Sequence, residues 1–583
     1  MRRKRTIIFI VIAALAATAC LGAGGLFLYR KIKRKILWSR YDAKTPRQIQ
    51  RIPSPSDSPE VFVASSLDRI FKDGKTLLKP EFTQSASISL AKNEYEPFQV
   101  VAAAGTVPVV NARLEISDLV NVDGKAKIDA KNVSWRVVGY VPTEKPYYPV
   151  KYIGEWPDPL LPELTVDIAV NEVQPFWVTV YAPENTRAGV YQGEIIFRAD
   201  GIASQKIPLQ VRVYNFILLR EGSLKTAFDF YGHETKKRYP RKKNEEDNAY
   251  QARLGALNEK YIIAMLKYRI NPVLNVDPTS EKELGGVDRY RLYGLNNFSI
   301  GKRGGTLGNN WPKTDEGIED ILMQYRTYGE MLKLNRLLDY TYIYTWDEGR
   351  IGNPVVAKIC SMIHRAYPGL KNMVAYHGFW DPEKDPEWGK DIDIWCFQID
   401  NFKEEKMRAL RNLGKEIWMY ISGPGGYGTP NLAMDFDSID YRIVPWLCWK
   451  YDIKGFLYWC VNWWPHVDPF KTAKNTRWAQ NGNGLLFYPG EDGPIASLRL
   501  EVFRDGMEDY EYIRQLMKRL KKIKHKQNEV KYKTIFEQSV ALLTMDDSIV
   551  AEMGRFTKDG DVLKARRDAI ARQIEEFDKR FIQ

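Results

Sequence analysis

The chain has 583 residues, more than one ordinary domain holds, and its 44% hydrophobic and 27% charged residues are typical of a globular protein rather than a disordered one. The net charge of +13 does not indicate a nucleic-acid-binding protein, because residues 1–40 contain ten Lys and Arg residues and no acid. The remaining 543 residues carry a net charge of only +3, so we expect no nucleic-acid partner.

The amino-terminal segment, residues 1–40, is predicted to be a signal anchor or a signal peptide. Its uncharged stretch from Thr6 to Tyr29 has 24 residues, enough for a helix to cross a bilayer. The anchor is favoured, because apolar residues continue past Cys20 and a basic cluster follows them; the alternative is a cleaved peptide with Cys20 as a lipid-attachment site. Basic clusters on both sides of the stretch leave its orientation undecided. We expect a membrane-anchored protein, with an exported body on functional grounds given below, or else a secreted or lipid-anchored one.

The rest of the chain is predicted to be multidomain. Residues 41–59 are rich in Pro and Ser and indicate a linker, and short alternating apolar runs over residues 60–217 predict a β-sandwich. Over residues 218–525 strand-like and helix-like segments alternate in about eight units, the count of an α/β (β/α)8 TIM-like barrel. Residues 526–583 are predicted to be a C-terminal helical segment.

The run YTYIYTWDEG, residues 340–349, is predicted to be a barrel strand, because its aromatic residues alternate with Thr and Ile. Two adjacent carboxylates, Asp347 and Glu348, close the run. We expect the strand to end at this pair, since further extension would point one carboxylate into an apolar layer. Gly349 would then let both carboxylates turn into the opening at the carboxyl end of the sheet, where such barrels place their chemistry.

Residues at the ends of the other predicted strands share this barrel mouth. They combine acids with aromatic rings, and the candidates for substrate binding or catalysis are Asp229, Asp277, Tyr344, Asp347, Glu348, His377, Trp380, Trp395, Asp400, Tyr420, Trp459, Asn462 and Trp463. Carboxylates surrounded by tryptophan are what a glycosidase needs to protonate a leaving group and to bind sugar rings. From these residues alone a purely structural role remains an alternative, in which the aromatic rings pack against one another and the acids form salt bridges.

Adjacent carboxylates on one strand favour a particular mechanism. In a standard retaining glycosidase the nucleophile and the acid stand about 5 Å apart, usually on different strands. Neighbouring carboxylates fit a reaction in which the 2-acetamido group of the sugar attacks the anomeric carbon. Asp347 would then orient that amide, and Glu348 would be the acid/base. The His and Cys residues lack the spacing of a metal site, and no metal or other cofactor is expected.

Four segments carry a resemblance to a known family: AKNEYEPFQVV (91–101), WDE (346–348), LYWCVNWW (457–464) and GLLFYPGEDGPIASLRLEVFRDGMEDYEYIRQL (484–516). Over roughly residues 60–520 the chain resembles glycoside hydrolase family 123 and the broader domain of unknown function 4091 group. The resemblance implies a β-sandwich joined to a (β/α)8 barrel, retaining β-N-acetylgalactosaminidase activity by substrate assistance, and the family's Asp-Glu pair at Asp347 and Glu348. Characterised members usually have Pro after this pair, where the chain has Gly349.

The alternative to an enzyme is a non-catalytic carbohydrate-binding or cell-envelope polysaccharide assembly protein that retains the barrel. The expected partners are a glycan or glycoconjugate and, through the amino-terminal segment, a membrane. The segment 484–516 is predicted to be mainly structural and to hold a loop at the barrel mouth, with Ser497 capping a helix and Arg504 paired with Glu508. No oligomeric state is predicted.

Overall fold

The structure is a computed structural model that describes residues 50–52, 58–76, 82–301, 306–378, 380–423, 428–464, 468–474 and 480–581. The predicted anchor or signal peptide, Cys20 and most of the predicted linker lie outside the described residues. Within the described part of the chain no helix is both long and apolar enough to cross a membrane.

The amino-terminal region is built of sheets. Its strands are β1 Gln50–Arg51, β2 Glu60–Ser65, β3 Lys75–Thr76, β4 Ala86–Lys92, β5 Glu94–Ala103, β6 Val109–Ile116, β7 Leu119–Asn121, β8 Lys127–Ile128, β9 Val133–Pro142, β10 Glu155–Leu161, β11 Val166–Ile168, β12 Val173–Ala182, β13 Gly189–Ala199 and β14 Ile202–Ile217. One sheet has the order β10-β9-β12-β5-β2, and the other has the order β11-β6-β13-β14-β4 with β7 beside β13. Alternate residues of both sheets, such as Phe98, Phe176 and Phe197, form one buried apolar cluster. The region predicted to be a β-sandwich is therefore rich in sheet.

A parallel sheet with flanking helices follows. The strands are β15 Lys225–Phe228, β16 Phe298–Ser299, β17 Thr341–Gly349, β18 Asn372–Tyr376, β19 Ile394–Gln398, β20 Glu416–Ile421 and β21 Gly455–Tyr458, and the helices are α1 Gly232–Arg238, α2 Asp247–Lys267, α3 Glu281–Arg291, α4 Asp315–Leu334, α5 Pro354–Ala366, α6 Glu404–Asn412 and α7 Ser438–Lys450. The strand order is β15-β21-β20-β19-β18-β17-β16, with every pair parallel.

The two edge strands of this sheet approach each other through residues 272–276. Phe228 at the end of β15 forms a parallel bridge with Pro272, and Ile300 just after β16 forms another with Val276. The sheet is therefore barrel-like, and its carboxyl ends face a common mouth.

The C-terminal part contains β22 Phe487–Pro489, β23 Pro494–Ala496, α8 Leu498–Ile523, α9 Val530–Leu543, β24 Val550–Glu552, β25 Arg555–Phe556 and α10 Gly560–Phe581. The Ser497 hydroxyl accepts a hydrogen bond from the Leu500 amide at 3.3 Å, which confirms the predicted cap of α8. The predicted ion pair of Arg504 and Glu508 is also present, at 4.0 Å.

Arg499 of α8 supports the barrel mouth from behind. Its buried guanidinium binds both carboxylate oxygens of Asp158 at 2.8 Å. It also donates to the carbonyls of Leu432 and Gly482 at 2.7 and 2.8 Å, and to that of Leu485. These carbonyls belong to the segments that follow β20 and β21, so the structure bears out the prediction that residues 484–516 hold mouth loops.

The C-terminal helix α10 is part of the same folded body. Arg567 of this helix is 2% exposed and ion-pairs with Glu94 and Glu96 of strand β5. It also donates to the Ser89 carbonyl at 2.7 Å. Residues more than 470 positions apart in the chain therefore share one buried ionic cluster.

At the amino ends of the barrel strands lies the His364 cluster, defined as His364, Asp391 and Asp393. The two ring nitrogens of His364 lie 3.2 and 2.8 Å from the carboxylates of Asp391 and Asp393. The hydrogen bond to Asp393 is the main cause of a raised pKa of His364, against the effect of burial. The cluster ties helix α5 to the loop that enters β19.

Candidate active site

Strand β17 runs through the carboxylate pair and ends at Gly349, one residue beyond the predicted end at Asp347 and Glu348. Trp346 pairs with Val374 and Gly349 pairs with Tyr376, which leaves Asp347 and Glu348 together opposite the single residue Ala375. This is a β-bulge, and Glu348 takes a left-handed backbone conformation with φ of +47°. The bulge breaks the alternation of the strand, and both carboxylates are exposed at the mouth instead of one being buried.

Asp347 is oriented by an aromatic hydroxyl from its own strand. The Tyr344 hydroxyl donates a hydrogen bond to Oδ1 of Asp347 at 2.6 Å. Partial shielding from solvent by the surrounding protein raises the pKa of Asp347, the Tyr344 hydrogen bond lowers it, and the neighbouring Glu348 raises it again. His377 also lowers the pKa of Asp347.

Glu348 has different partners, which come from the next strands of the sheet. Nε2 of His377 lies 3.0 Å from Oε1 of Glu348, and the Tyr420 hydroxyl donates to the same oxygen at 3.3 Å. Behind the imidazole, Nδ1 of His377 lies 3.1 Å from Oε1 of Gln398, and Nε2 of Gln398 donates to the Ser422 hydroxyl at 3.0 Å. Each carboxylate of the pair therefore has its own hydrogen-bonding environment.

Asp229 is a third acid near the pair. It follows β15, is half-buried, and is held through its backbone by the Tyr458 carbonyl at 3.1 Å and the Val461 amide at 2.9 Å. Burial, together with the negative charge of Asp347, raises the pKa of Asp229 to about 7. Its charge state therefore changes near neutral pH.

Two tryptophans border this part of the mouth. Trp459 and Trp463 are half-buried, and their rings are 5.4 Å apart in an edge-to-face arrangement. Nε1 of Trp459 donates to Oδ1 of Asn483 at 3.0 Å. Gly484 has φ of +76°, and a Cβ there would lie 2.3 Å from the Trp459 indole, so this glycine lets the ring take its position.

Trp380 and Trp395 of the predicted site are packed in the core rather than open to the mouth. Trp395 has 0% exposed surface and Trp380 has 4%, and their rings stack at 5.3 Å with an interplanar angle of 7°. Asn462 is also fully buried, where its amide bonds both backbone groups of Tyr231 at 2.8 and 3.0 Å. The side chains of these three residues pack behind the surface of the mouth.

Two further predicted acids lie in turns. Asp277 accepts hydrogen bonds from the Thr279 amide and hydroxyl at 2.9 and 2.7 Å. Asp400 accepts one from the Thr429 hydroxyl at 2.5 Å. Neither is hydrogen-bonded to the Asp347 and Glu348 pair.

Two family models match this chain. The model described as Glycoside hydrolase 123, catalytic domain, matches residues 303–516, and the model described as Glycoside hydrolase 123 N-terminal domain matches residues 71–199. Together they cover more than half of the chain, and the first includes the carboxylate pair. The chain belongs to glycoside hydrolase family 123.

One solved structure agrees with this membership at the level of the fold. A family 123 glycoside hydrolase from Clostridium perfringens aligns with a TM-score of 0.65 and 14% identity over 90% of this chain and 99% of that one. A family 39 glycoside hydrolase from Bacteroides cellulosilyticus WH2 aligns with a TM-score of 0.33 and 11% identity over 73% and 82%, and a Bacteroides ovatus GH5 xyloglucanase with a TM-score of 0.25 and 10% identity over 73% and 98%. These two scores are too low to support an argument. A search of curated proteins found no match.

Sequence reasoning missed several residues of this candidate site. Gln398, Ser422 and Tyr231 each lie within three residues of a strand end, the position that had indicated the other candidates. They were missed because amides and hydroxyls are common in turns, where they seldom mark a site.

In the part of the chain that the structure describes, no group of three or more His, Cys, Asp and Glu residues could hold a metal ion. Cys360, Cys396, Cys448 and Cys460 are free and buried.

Proposed function

We propose that this glycoside hydrolase cleaves the glycosidic bond of a β-linked 2-acetamido sugar, as a β-N-acetylgalactosaminidase, by retaining, substrate-assisted catalysis. The observation that carries the proposal is the bulge in β17, which leaves Asp347 and Glu348 side by side at the mouth with different partners. Carboxylates of a standard retaining pair stand about 5 Å apart, usually on separate strands. Two neighbouring carboxylates on one bulge instead support two different roles, one toward the acetamido group of the sugar and one toward the leaving group.

In this mechanism Asp347 accepts a hydrogen bond from the acetamido N–H of the sugar. The amide carbonyl oxygen then attacks the anomeric carbon while Glu348 gives a proton to the departing oxygen. In the second step Glu348 takes a proton from water, the water oxygen bonds to the anomeric carbon, and the ring formed with the acetamido group opens. Two displacements at the same carbon retain its configuration.

Other residues at the mouth are suited to binding a sugar. The half-buried rings of Trp459 and Trp463 can stack on the apolar face of a pyranose, and Asp229 can bind a sugar hydroxyl. The Clostridium perfringens relative is described as acting in glycolipid glycan hydrolysis, and this supports a glycoconjugate as the substrate.

The same proposal extends to the fold and the location of the protein. We assign the barrel-like sheet as a (β/α)8 barrel that closes at residues 272–276, and the amino-terminal sheets as a β-sandwich. We also propose that the body is exported and attached to a membrane through the predicted anchor, with secretion or lipid attachment at Cys20 as the alternative.

The first experiment measures hydrolysis of aryl β-N-acetylgalactosaminide and β-N-acetylglucosaminide by the wild-type protein, Asp347→Asn and Glu348→Gln. We expect one substrate to be preferred and both variants to lose most of the activity. Replacing the N-acetyl group by N-trifluoroacetyl should slow the wild-type enzyme strongly, because fluorine weakens the carbonyl oxygen as a nucleophile. Equal rates for the two acyl groups would instead indicate a nucleophile from the protein.

The alternative function is glycan binding without turnover. It predicts no hydrolysis of either glycoside by folded protein, together with glycan binding that Glu348→Gln leaves unchanged. Hydrolysis by the wild-type protein, and its loss in Glu348→Gln, distinguishes the two, and a glycan array then identifies the ligand of a protein without turnover.

A further inference from the structure

We propose that Tyr147, a residue of the amino-terminal region, is a positioning residue for the Trp459 indole at the barrel mouth. It acts through two buried amides, those of Gln480 and Asn483. The inference rests on the proposed function, because it takes Trp459 as a ring that binds the sugar. It goes beyond that function by making the amino-terminal sheets a part of the substrate-binding site.

The loop that joins β9 to β10, residues 143–154, leaves the amino-terminal sheets and packs against the carboxyl end of the barrel. Nδ2 of Asn481 donates to the Glu144 carbonyl at 2.8 Å, and Oδ1 of Asn481 accepts from the Glu144 amide at 3.2 Å. The Tyr148 hydroxyl donates to Asp435 at 2.8 Å and accepts from the Asn481 backbone amide at 3.2 Å. The loop is therefore fastened to the barrel on both sides of Tyr147.

The Trp459 indole fixes the direction of the hydrogen bonds, because an indole Nε1–H can only donate. It donates to Oδ1 of Asn483 at 3.0 Å. The Tyr458 hydroxyl accepts from the Gly484 amide at 2.8 Å, so its own hydrogen is directed to the same Oδ1, at 3.1 Å. Two donors that do not depend on the rest of the series thus identify Oδ1 of Asn483 as the carbonyl oxygen and Nδ2 as the donor.

The remaining bonds follow in order from that assignment. Nδ2 of Asn483 donates to Oε1 of Gln480, which makes Nε2 the donor at the other end of the Gln480 amide. Nε2 donates to the Tyr147 hydroxyl at 3.0 Å. Both amides are buried, so a donor that loses its acceptor there keeps most of the cost of leaving water. These four residues form the Trp459 hydrogen-bond series, which begins at Trp459 and ends at Tyr147.

Close packing limits where the members of the series can lie. A Cβ at Gly423, just after β20, would overlap Nε2 of Gln480. A Cβ at Gly484 would overlap the Trp459 indole, and the Gly484 carbonyl accepts a hydrogen bond from the Trp463 amide at 2.9 Å. A displacement of the Gln480 amide is therefore passed to the backbone that holds both tryptophans of the mouth.

The series reaches the sugar-binding ring rather than the reacting groups. The carboxylate pair has its own partners, Tyr344, His377 and Tyr420, and none of these belongs to the series. Loss of the Tyr147 hydroxyl should therefore leave the carboxylates in place and alter the fit of the sugar against Trp459. An interaction of this kind is seen in KM more than in kcat.

The first experiment measures kcat and KM of Tyr147→Phe, which removes the hydroxyl and keeps the ring, on the aryl glycoside that the wild-type enzyme prefers. We expect KM to rise by about 3- to 10-fold, the value of one hydrogen bond, and kcat to stay within about twofold. The matched control is Tyr140→Phe in β9, whose hydroxyl donates to the Ile70 and Val173 carbonyls at 3.3 Å within the amino-terminal region. An unchanged KM in Tyr147→Phe, or the same rise in both variants, would overturn the proposal.

A double-mutant cycle tests whether Tyr147 acts through Gln480. Gln480→Met keeps the length of the side chain and removes the amide, so it should raise KM by itself. In that background Tyr147→Phe should add little, because the bond that it removes is already absent. Effects of the two substitutions that simply multiply in KM would refute the connection.

A further readout does not need turnover. The indole N–H signal of Trp459 in the NMR spectrum, identified by its loss in Trp459→Phe, is followed in the protein without substrate. We expect Tyr147→Phe to shift this signal and to speed its hydrogen exchange, and Tyr140→Phe to leave it unchanged. An unmoved signal in Tyr147→Phe would overturn the positioning role even if the protein hydrolyses neither glycoside, so failure of the proposed function and failure of this inference are distinguishable.

Discussion

Replacing Arg567 by Met tests whether the C-terminal helix α10 stabilises the amino-terminal sheets through a buried charge. Arg567 is 2% exposed, and its guanidinium neutralises Glu94 and Glu96, which are 0% and 3% exposed. Methionine preserves most of the apolar stem and removes only the charged group. Glu94 would keep the hydroxyl of Tyr512 as a hydrogen-bond donor but would lose its cation.

The expected cost follows from the burial of the two carboxylates. Breaking a buried ion pair by removing one partner costs about 3–5 kcal/mol, because the remaining charge stays out of water. Burial already raises the pKa of Glu94 well above its usual range, and Arg567 is the main group that lowers it. Loss of the cation therefore favours the protonated acid in the folded state. Stability of the variant relative to the wild type should then rise as the pH falls from 8 toward 5, since folding takes up a proton.

The assay is denaturant unfolding at pH 8 and pH 5, followed by circular dichroism, with limited proteolysis to detect release of α10. The matched control is Arg580→Met on the same helix, which removes an exposed pair with Glu576 and should cost only about 0.3–0.5 kcal/mol. A loss below about 1 kcal/mol for Arg567→Met, or a loss that does not change with pH, would refute the reasoning. Adding Glu96→Gln to the variant should restore part of the stability.

Three further substitutions test individual contacts in the candidate site and in the His364 cluster. Tyr344→Phe removes the hydrogen bond to Asp347 and should lower kcat by about 10- to 100-fold, the value of a hydrogen bond to a charged group; a change within twofold would contradict this role. Gly484→Ala should push the Trp459 indole aside and raise KM more than it lowers kcat, and an unchanged KM would contradict the proposed stacking. His364 has a raised pKa in the folded state, so its contribution to stability is complete below about pH 6.5 and is lost as the pH rises through the folded value. Melting temperatures between pH 5 and 8 should show this loss in the wild type and not in His364→Gln.

Much of the architecture is predictable because it depends on local periodicity. The helices at 247–267, 315–334 and 354–366 and the strand containing WDE follow directly from apolar spacing, since an element must bury one face. One of the eight predicted units is the exception, because it requires a short strand near the segment DRYRLYGLNNF, residues 288–298. Helix α3 extends to Arg291, and the strand is only Phe298–Ser299.

The candidate site is predictable only in outline. The sequence by itself placed Asp347 and Glu348 at the mouth, because adjacent carboxylates after an aromatic strand cannot both be buried. It could not show which aromatic rings are accessible, since Trp395 and Trp459 have similar neighbours in sequence but very different exposure. Exposure depends on what the rest of the chain packs against each ring.

Only the tertiary structure decided how the two carboxylates differ. The bulge in β17 depends on pairing with β18, and the partners of Glu348 come from strands 29 and 72 residues further along the chain. The ionic cluster of Arg567 joins segments separated by 471 residues. Sequence periodicity reports which face of an element is apolar, whereas the pairing of charged and hydrogen-bonding groups depends on distances that exist only after distant segments have packed together.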